Sequence, residues 1–385
     1  MEVRRCLLRI LLSSLNSVSQ PESPRRIARD GAPAQIVALA GLHAVSPLVF
    51  TTLRNSPHWD FAPAALAELA TRHQVNAFRS LALAAELVSL CRLFASKQIL
   101  AVPLKGPALA AAAYGELGLR TFIDLDLYVQ PQDAIPARNV LRDAGFQMVS
   151  AVHHSADSAC LRSINAEFTM SRGSTSVDLH WRVLPDYFPF QLDAHTLWDG
   201  VTTQHLAGHD IPAFSPEHQL LYLAAHGAKH YWSKLRWACD FVKFLQAVPV
   251  NWVRTLDLAQ AAGKPVVLTH ALALVRQLFH VELPPEAARL IDPNAEAIAA
   301  RVVSWILASD ATPPHTREQT WFLSQFTTGF AETLRLWHGL TLAPTEAEWS
   351  LIQLPALLYP LYYPIRLGRM AVKYTPFIGT ARREE

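Results

Sequence analysis

The 385-residue sequence predicts an α+β protein in which a small mixed-sheet core sits between two helical regions. Three observations predict it. Through residues 1–97 apolar residues recur three and four apart, among the helix formers Ala, Leu and Glu. Short β-patterned runs broken by Gly concentrate between residues 98 and 195. From 196 to 385 the helical period returns, and no internal repeat is visible. With 51% hydrophobic residues, the chain can bury a sizeable core.

The elements follow in order. In MEVRRCLLRILLSSL, Leu8, Leu11, Leu12 and Leu15 fall at helical spacing, and Arg9 cuts a run that would otherwise resemble a signal peptide. A short amphipathic helix packed on the body is expected. Pro21, Pro24 and Pro33 mark a polar linker. SPLVFTTLRNS and the run from Pro63 to Lys97 read as helices. Ile99 to Leu104 is a short strand stopped by Gly106-Pro107, and Leu109 to Gly115 an Ala-rich helix. Thr121 to Val129 is a strand, and Pro131 to Ala144 a helix with Gly145 at its end. Ala166 to Met170 and Ser176 to Trp181 alternate like paired strands, turning at Arg172-Gly173-Ser174. Ser215-Pro216-Glu217 opens a helix with a capping Ser and Pro in the first turn. The segment LIQLPALLYPLYYPIRLGRM is apolar, but Pro355, Pro360 and Pro364 break it. Its uncharged run is shorter than the ~20 residues that span a bilayer. It reads as kinked helix on the surface, with no transmembrane segment; peripheral membrane contact is the alternative.

Composition excludes several classes. A net charge of +2 with dispersed basic residues argues against a nucleic-acid partner. Cys6, Cys91, Cys160 and Cys239 show no CxxC spacing, which fits a reducing compartment, and a cytoplasmic location is expected. GxGxxG, GxxxxGK[ST] and GxSxG are absent.

The chemistry concentrates in VPLKGPALAAAAYGELGLRTFIDLDLYV, residues 102–129. A strand puts i and i+2 on one face, so Asp124 and Asp126 project together while Ile123, Leu125 and Leu127 turn to a core. Two such carboxylates are costly unless a cation, usually a divalent metal, lies between them.

Leu104-Lys105-Gly106, then Tyr114, then Gly118 and Arg120, then Asp124-x-Asp126, then Val177-Asp178-Leu179-His180-Trp181, resemble the nucleotidyltransferase-fold proteins. The run LLYLAAHGAKHYWSKLRWACDF, Leu220 to Phe241, is also similar to the group labelled uncharacterised nucleotidyltransferases. The resemblance spans roughly residues 35 to 290. It implies a first strand leading to a Gly turn, a second carrying two carboxylates, and a neighbouring strand supplying a third. Asp124, Asp126 and Asp178 would then be both the catalytic acids and the metal ligands. It implies Mg²⁺, as two ions, with Mn²⁺ as a substitute. Two ions stabilise the attacking and leaving oxygens of an in-line displacement.

Lys105, Gly106 and Arg120 are the candidate phosphate-binding residues; Glu116, one turn earlier, is the other partner available to Arg120. Pro107 stands where typical members of the wider superfamily have a Ser that touches a terminal phosphate. His180 shares a face with Asp178. His226, Lys229, His230 and Arg236 form a polar face turned toward nucleotide or acceptor. The His226-x-x-x-His230 spacing also suits zinc, but a third ligand is missing, since Asp240 lies too far along the same helix. Tyr114, Trp232 and Trp237 read as packing residues. The implied partners are an NTP and a hydroxyl-bearing acceptor, small molecule or protein, in a bacterial setting. The alternative is a scaffold that keeps the fold and binds nucleotide or a partner without turnover.

Overall fold

The computed structural model describes residues 2–15, 25–26, 32–56, 59–149, 167–263, 265–352 and 354–374. Pro21, Pro24, Cys160 and Ala166 lie outside them. Helix α1 (Glu2–Leu15) buries Leu7, Leu8, Ile10, Leu11 and Leu15, as its spacing requires, and packs on the neighbouring helices. Helices α2 (Ala32–Leu42), α3 (Ser46–Asn55) and the long α4 (Pro63–Ser96) follow. Pro33 is in the first turn of α2, where its missing N–H costs nothing. It begins a helix rather than continuing a linker.

The core sheet has five strands. They are β1 (Val102–Pro103), β2 (Asp124–Tyr128), β3 (Gln147–Met148), β4 (Glu167–Arg172) and β5 (Thr175–His180), in the spatial order β1-β2-β5-β4-β3. Only the β2–β5 pair is parallel, so the sheet is mixed. Between β1 and β2 the chain forms α5 (Gly106–Leu109), a π-helical turn at Ala110–Tyr114 and a 3₁₀ turn at Leu117–Leu119. Helix α6 (Ala134–Asp143) precedes β3, and Gly145 takes the positive φ of 90° that ends it. The β4–β5 turn is the two residues Gly173-Ser174, with Arg172 paired to Thr175.

Alternation gives the sheet two chemically distinct faces. Leu125, Leu127, Phe168, Met170, Val177 and Leu179 are buried in one core with Leu87, Phe94 and Leu141 of α4 and α6. The opposite face carries Asp124, Asp126, Thr169, Asp178 and His180, and meets the C-terminal helices. Ile123, expected in the core, is 62% exposed because the strand starts one residue later, at Asp124.

After α7 (Ala194–Asp199), a second hairpin, β6 (Thr202–Leu206) and β7 (His209–Ala213), precedes the helical bundle. Helix α8 (Pro216–Lys229) is capped by Ser215, whose side chain accepts from the His218 backbone N–H. It ends at Lys229; α9 (Leu235–Ala247) is a separate helix. Tyr231 and Trp232 take φ values of 58° and 50°, which reverses the chain. The fully buried Trp232 ring then lies over Gly227. A Cβ on Gly227 would sit 2.4 Å from that ring. Gly227→Ala is therefore expected to cost about 1–3 kcal/mol by overpacking, read as a lower urea midpoint. An unchanged midpoint would mean the ring can move aside.

The bundle continues through α10 (Trp252–Ala261), α11 (Val266–Phe279), α12 (Pro285–Ala288), α13 (Pro293–Ala308), α14 (Thr316–Ser324) and α15 (Phe330–Trp337). Helices α16 (Glu346–Leu351) and α17 (Tyr362–Tyr374), with a 3₁₀ turn at Ala356–Leu361 between them, form the kinked C-terminal segment. Among the described residues no helix is long and apolar enough to cross a membrane.

Two buried imidazoles give the bundle a pH dependence. Burial lowers His270 to about 3, and among the described residues neither ring nitrogen has a hydrogen-bond partner. Burial likewise takes His43 to about 4; its Nδ1 accepts from the Leu235 backbone N–H. In the unfolded chain both would titrate near 6.5, so only the unfolded state gains protons as pH falls through that value. Stability is lost from there down toward the folded-state values. At pH 5 each histidine should cost about 2 kcal/mol relative to pH 7. Urea melts at the two pH values should show His270→Leu losing that much less than the wild type; equal losses would assign the acid sensitivity elsewhere.

Candidate active site

The site is built by register. Asp126 on β2 is the direct parallel partner of Asp178 on β5, and Asp178 in turn faces Thr169 on β4. Adjacent strands lie about 4.8 Å apart, so the two carboxylates are neighbours across the ladder. Asp124 is two residues along the same face. Ligand atoms of Asp126, Asp178 and His180 all lie within 4.8 Å of one another.

Asp126 is 5% exposed and its Oδ1 accepts from two cations. Lys105 Nζ is 3.0 Å away and His180 Nε2 3.1 Å. The other ring nitrogen of His180, Nδ1, is 2.9 Å from Glu167 Oε2. Two carboxylate partners require two N–H donors, which only an imidazolium supplies. Burial would lower the imidazole, but the bonds to Asp126 and Glu167 outweigh it and lift it to about 9. Burial would raise the Asp126 carboxyl; Lys105 and His180 hold it well below the usual carboxylate range instead. The hydrogen bond from His180 takes Glu167 down to about 2. Asp124 is raised, by burial and by the Asp126 charge. Asp178 is pushed up to about 6, by burial first and then by Glu167 and Asp126. Among the described residues its Oδ1 is buried and has no hydrogen-bond partner.

That orphaned oxygen is the observation that bears on a metal. A buried acceptor without a donor is costly, and a hard cation satisfies it. Oxygen donors from Asp124, Asp126 and Asp178 fit such an ion. His180, with both nitrogens engaged, is not free to join them.

The turn before β2 adopts the geometry that its glycine allows. Gly106 has φ of 63°, a left-handed conformation costly for other residues. Pro107 then fits the first turn of α5, where no backbone N–H is missed. The turn delivers Lys105 onto Asp126.

Arg120 is held in a buried ion pair. Its Nε and Nη2 donate to the two oxygens of Asp240 on α9, at 2.7 and 2.8 Å, and Tyr114 Oη donates to Asp240 at 2.7 Å. Arg120 and Asp240 are each 3% exposed by side chain. Asn76 on α4 holds the same loop through the Gly118 and Arg120 carbonyls. In this arrangement Arg120 fastens the loop to α9, within electrostatic range of Asp124 and Asp126, and its ion-pair partner is Asp240, not Glu116. Asp240 lies on a different helix from His226, which corrects the single-helix expectation.

Lys105 is an electrostatic neighbour of His226 and His230, Glu167 of Lys229, and Asp124 of Arg236. His226 and His230 lie 4.7 Å apart between ring centroids, and His230 stacks on Trp237 at 4.8 Å. Burial, with the nearby Lys105, keeps His226 well below its usual value. Burial and Lys229 take His230 to about 3. Both are neutral near pH 7, so they offer hydrogen bonds and ring faces rather than charge. Lys229 is lowered by burial against the field of Glu167. Burial, then Arg120, lowers Arg236. Its Nη1 donates to the Thr121 carbonyl at 3.0 Å, and its buried Nε has no hydrogen-bond partner among the described residues.

Glu167 was missed by sequence reasoning, although its place opposite His180 follows from the β4–β5 register. A cavity of about 180 Å³ behind the Lys105 turn is lined by Leu104, Ala108, Phe214 and Phe244. None of the acids borders it, so it is separate from the carboxylate face.

Three carboxylates thus share the polar face of a mixed sheet, beside basic residues of α8 and α9. The chain belongs to the family described as uncharacterised nucleotidyltransferase, whose model matches residues 31–280. No curated protein matches the chain.

Proposed function

We propose that the protein is a Mg²⁺-dependent nucleotidyltransferase, with Mn²⁺ as a substitute ion, that moves NMP from an NTP to a hydroxyl of a small-molecule or protein acceptor, or to a phosphate group. The observation that carries this reading is the Asp126–Asp178 register, with the Asp178 oxygen left unpartnered inside the site. Asp124, Asp126 and Asp178 would hold the divalent ion, which when bound neutralises phosphate charge and lowers the barrier to attack at the α-phosphorus.

The chain's own residues supply the rest. Lys105 and His180 fix Asp126 in its ionised form. Lys229 and Arg236 face the triphosphate and the departing pyrophosphate, Arg236 through its unpartnered Nε. Asp178 either ligates the ion through Oδ1 or takes the proton of the acceptor hydroxyl. Neutral His226 and His230, on the same helical face, contact nucleotide or acceptor. The parts divide as residues 1–97, 98–195 and 196–385, with the acceptor pocket built from the appended helices. A cytoplasmic location fits an NTP substrate.

The test is transfer itself. Protein incubated with Mg²⁺, a candidate acceptor pool and α-labelled NTP should release pyrophosphate and move the label onto one acceptor. Label bound in a Mg²⁺-dependent way but never transferred, across all four NTPs, would leave the scaffold reading.

A further inference from the structure

We propose that this site takes one divalent ion rather than two, and that the Lys105 ammonium serves as the second centre of positive charge on Asp126. The inference rests on the nucleotidyltransferase reading above and narrows it. A carboxylate that bridges two ions commonly gives one oxygen to each. Here Asp126 Oδ1 already receives Lys105 Nζ at 3.0 Å and His180 Nε2 at 3.1 Å. An ion on that oxygen would meet two cations at contact distance.

The backbone makes Lys105 a fixed part of the site. The left-handed Gly106 starts α5 directly after it, and Leu104 N–H bonds to the Asp126 carbonyl at 3.0 Å. The lysine is thereby anchored beside the carboxylate it neutralises, with only 17% of its side chain exposed.

Counting bound Mn²⁺ by the loss of its free-ion paramagnetic resonance signal tests this, using Mn²⁺ alone and the intact chain. The wild type should bind one ion per chain, and the Asp124→Asn/Asp126→Asn double variant none. Lys105→Met keeps the length but removes the charge, and should bind two; Lys105→Gln should do the same. Lys105→Arg keeps the charge and should stay at one. Two ions in the wild type, or one in both uncharged variants, would overturn the inference. No ion in the wild type would remove the metal-dependent reading on which it stands. Anomalous scattering from Mn²⁺-soaked wild-type crystals gives a check that needs no variant. One ion with Lys105 still on Asp126 supports the proposal, and two ions with Lys105 displaced refute it.

Discussion

Asp178→Asn should lose about 10²–10⁴-fold in the rate of nucleotidyl transfer while keeping or gaining stability. Its carboxyl stands at about 6, held up by burial beside Glu167 and Asp126, and one of its oxygens has no partner. An amide has nearly the same shape, cannot accept the acceptor's proton, and removes one of several crowded negative charges. Loss of function without loss of fold separates a working residue from a structural one. Asp126→Asn should behave differently. It strands Lys105 without its carboxylate and leaves His180 with Glu167 alone, so stability should fall along with activity. Parallel assays of transfer rate and urea midpoint distinguish the two. An Asp178→Asn variant as active as wild type would remove this residue from the chemistry.

The second large effect is on stability. Arg120→Ala should destabilise the protein by about 3–5 kcal/mol, because among the described residues it leaves the buried Asp240 carboxylate with only the Tyr114 hydroxyl as a side-chain donor. The pair connects the loop before β2 to α9 across 120 residues of sequence, so the loss should extend to the whole domain. Replacing both partners by apolar residues, Arg120→Met with Asp240→Leu, should recover much of the loss, since neither charge is then stranded. Urea denaturation of the two single variants and the double variant measures this. If Arg120→Ala keeps full stability but weakens NTP binding, the arginine faces phosphate in the working enzyme, as its motif position suggests.

What the sequence revealed follows the range of the forces involved. Ser215-Pro216-Glu217 and Pro63 to Lys97 became helix ends almost where they read, because caps and prolines act within one turn. The face shared by Asp124, Asp126 and Asp178 was also legible, through strand alternation and the family motif. The β6–β7 hairpin was not. Its ten strand residues bury only Leu206 and Ile211 fully, so the alternating signal is faint, and its turn places the non-glycine Ala207 at φ of 49°. The break between α8 and α9 was hidden too, since LLYLAAHGAKHYWSKLRW is continuously helix-compatible until Trp232 finds its place over Gly227. The destination of Arg120 is a tertiary fact. Nothing near it in sequence points to Asp240, whereas Glu116 lies one turn away and is the local guess.

The central claim is that Asp124, Asp126 and Asp178 form a metal-dependent nucleotide site. Calorimetric titration of ATP and GTP into the protein, with Mg²⁺ and with chelator, tests it most directly. At least one nucleotide should bind with Mg²⁺, binding should vanish in chelator, and the Asp124→Asn/Asp126→Asn variant should bind neither despite being folded. Binding of equal strength with and without Mg²⁺, or retained by the double variant, would contradict it.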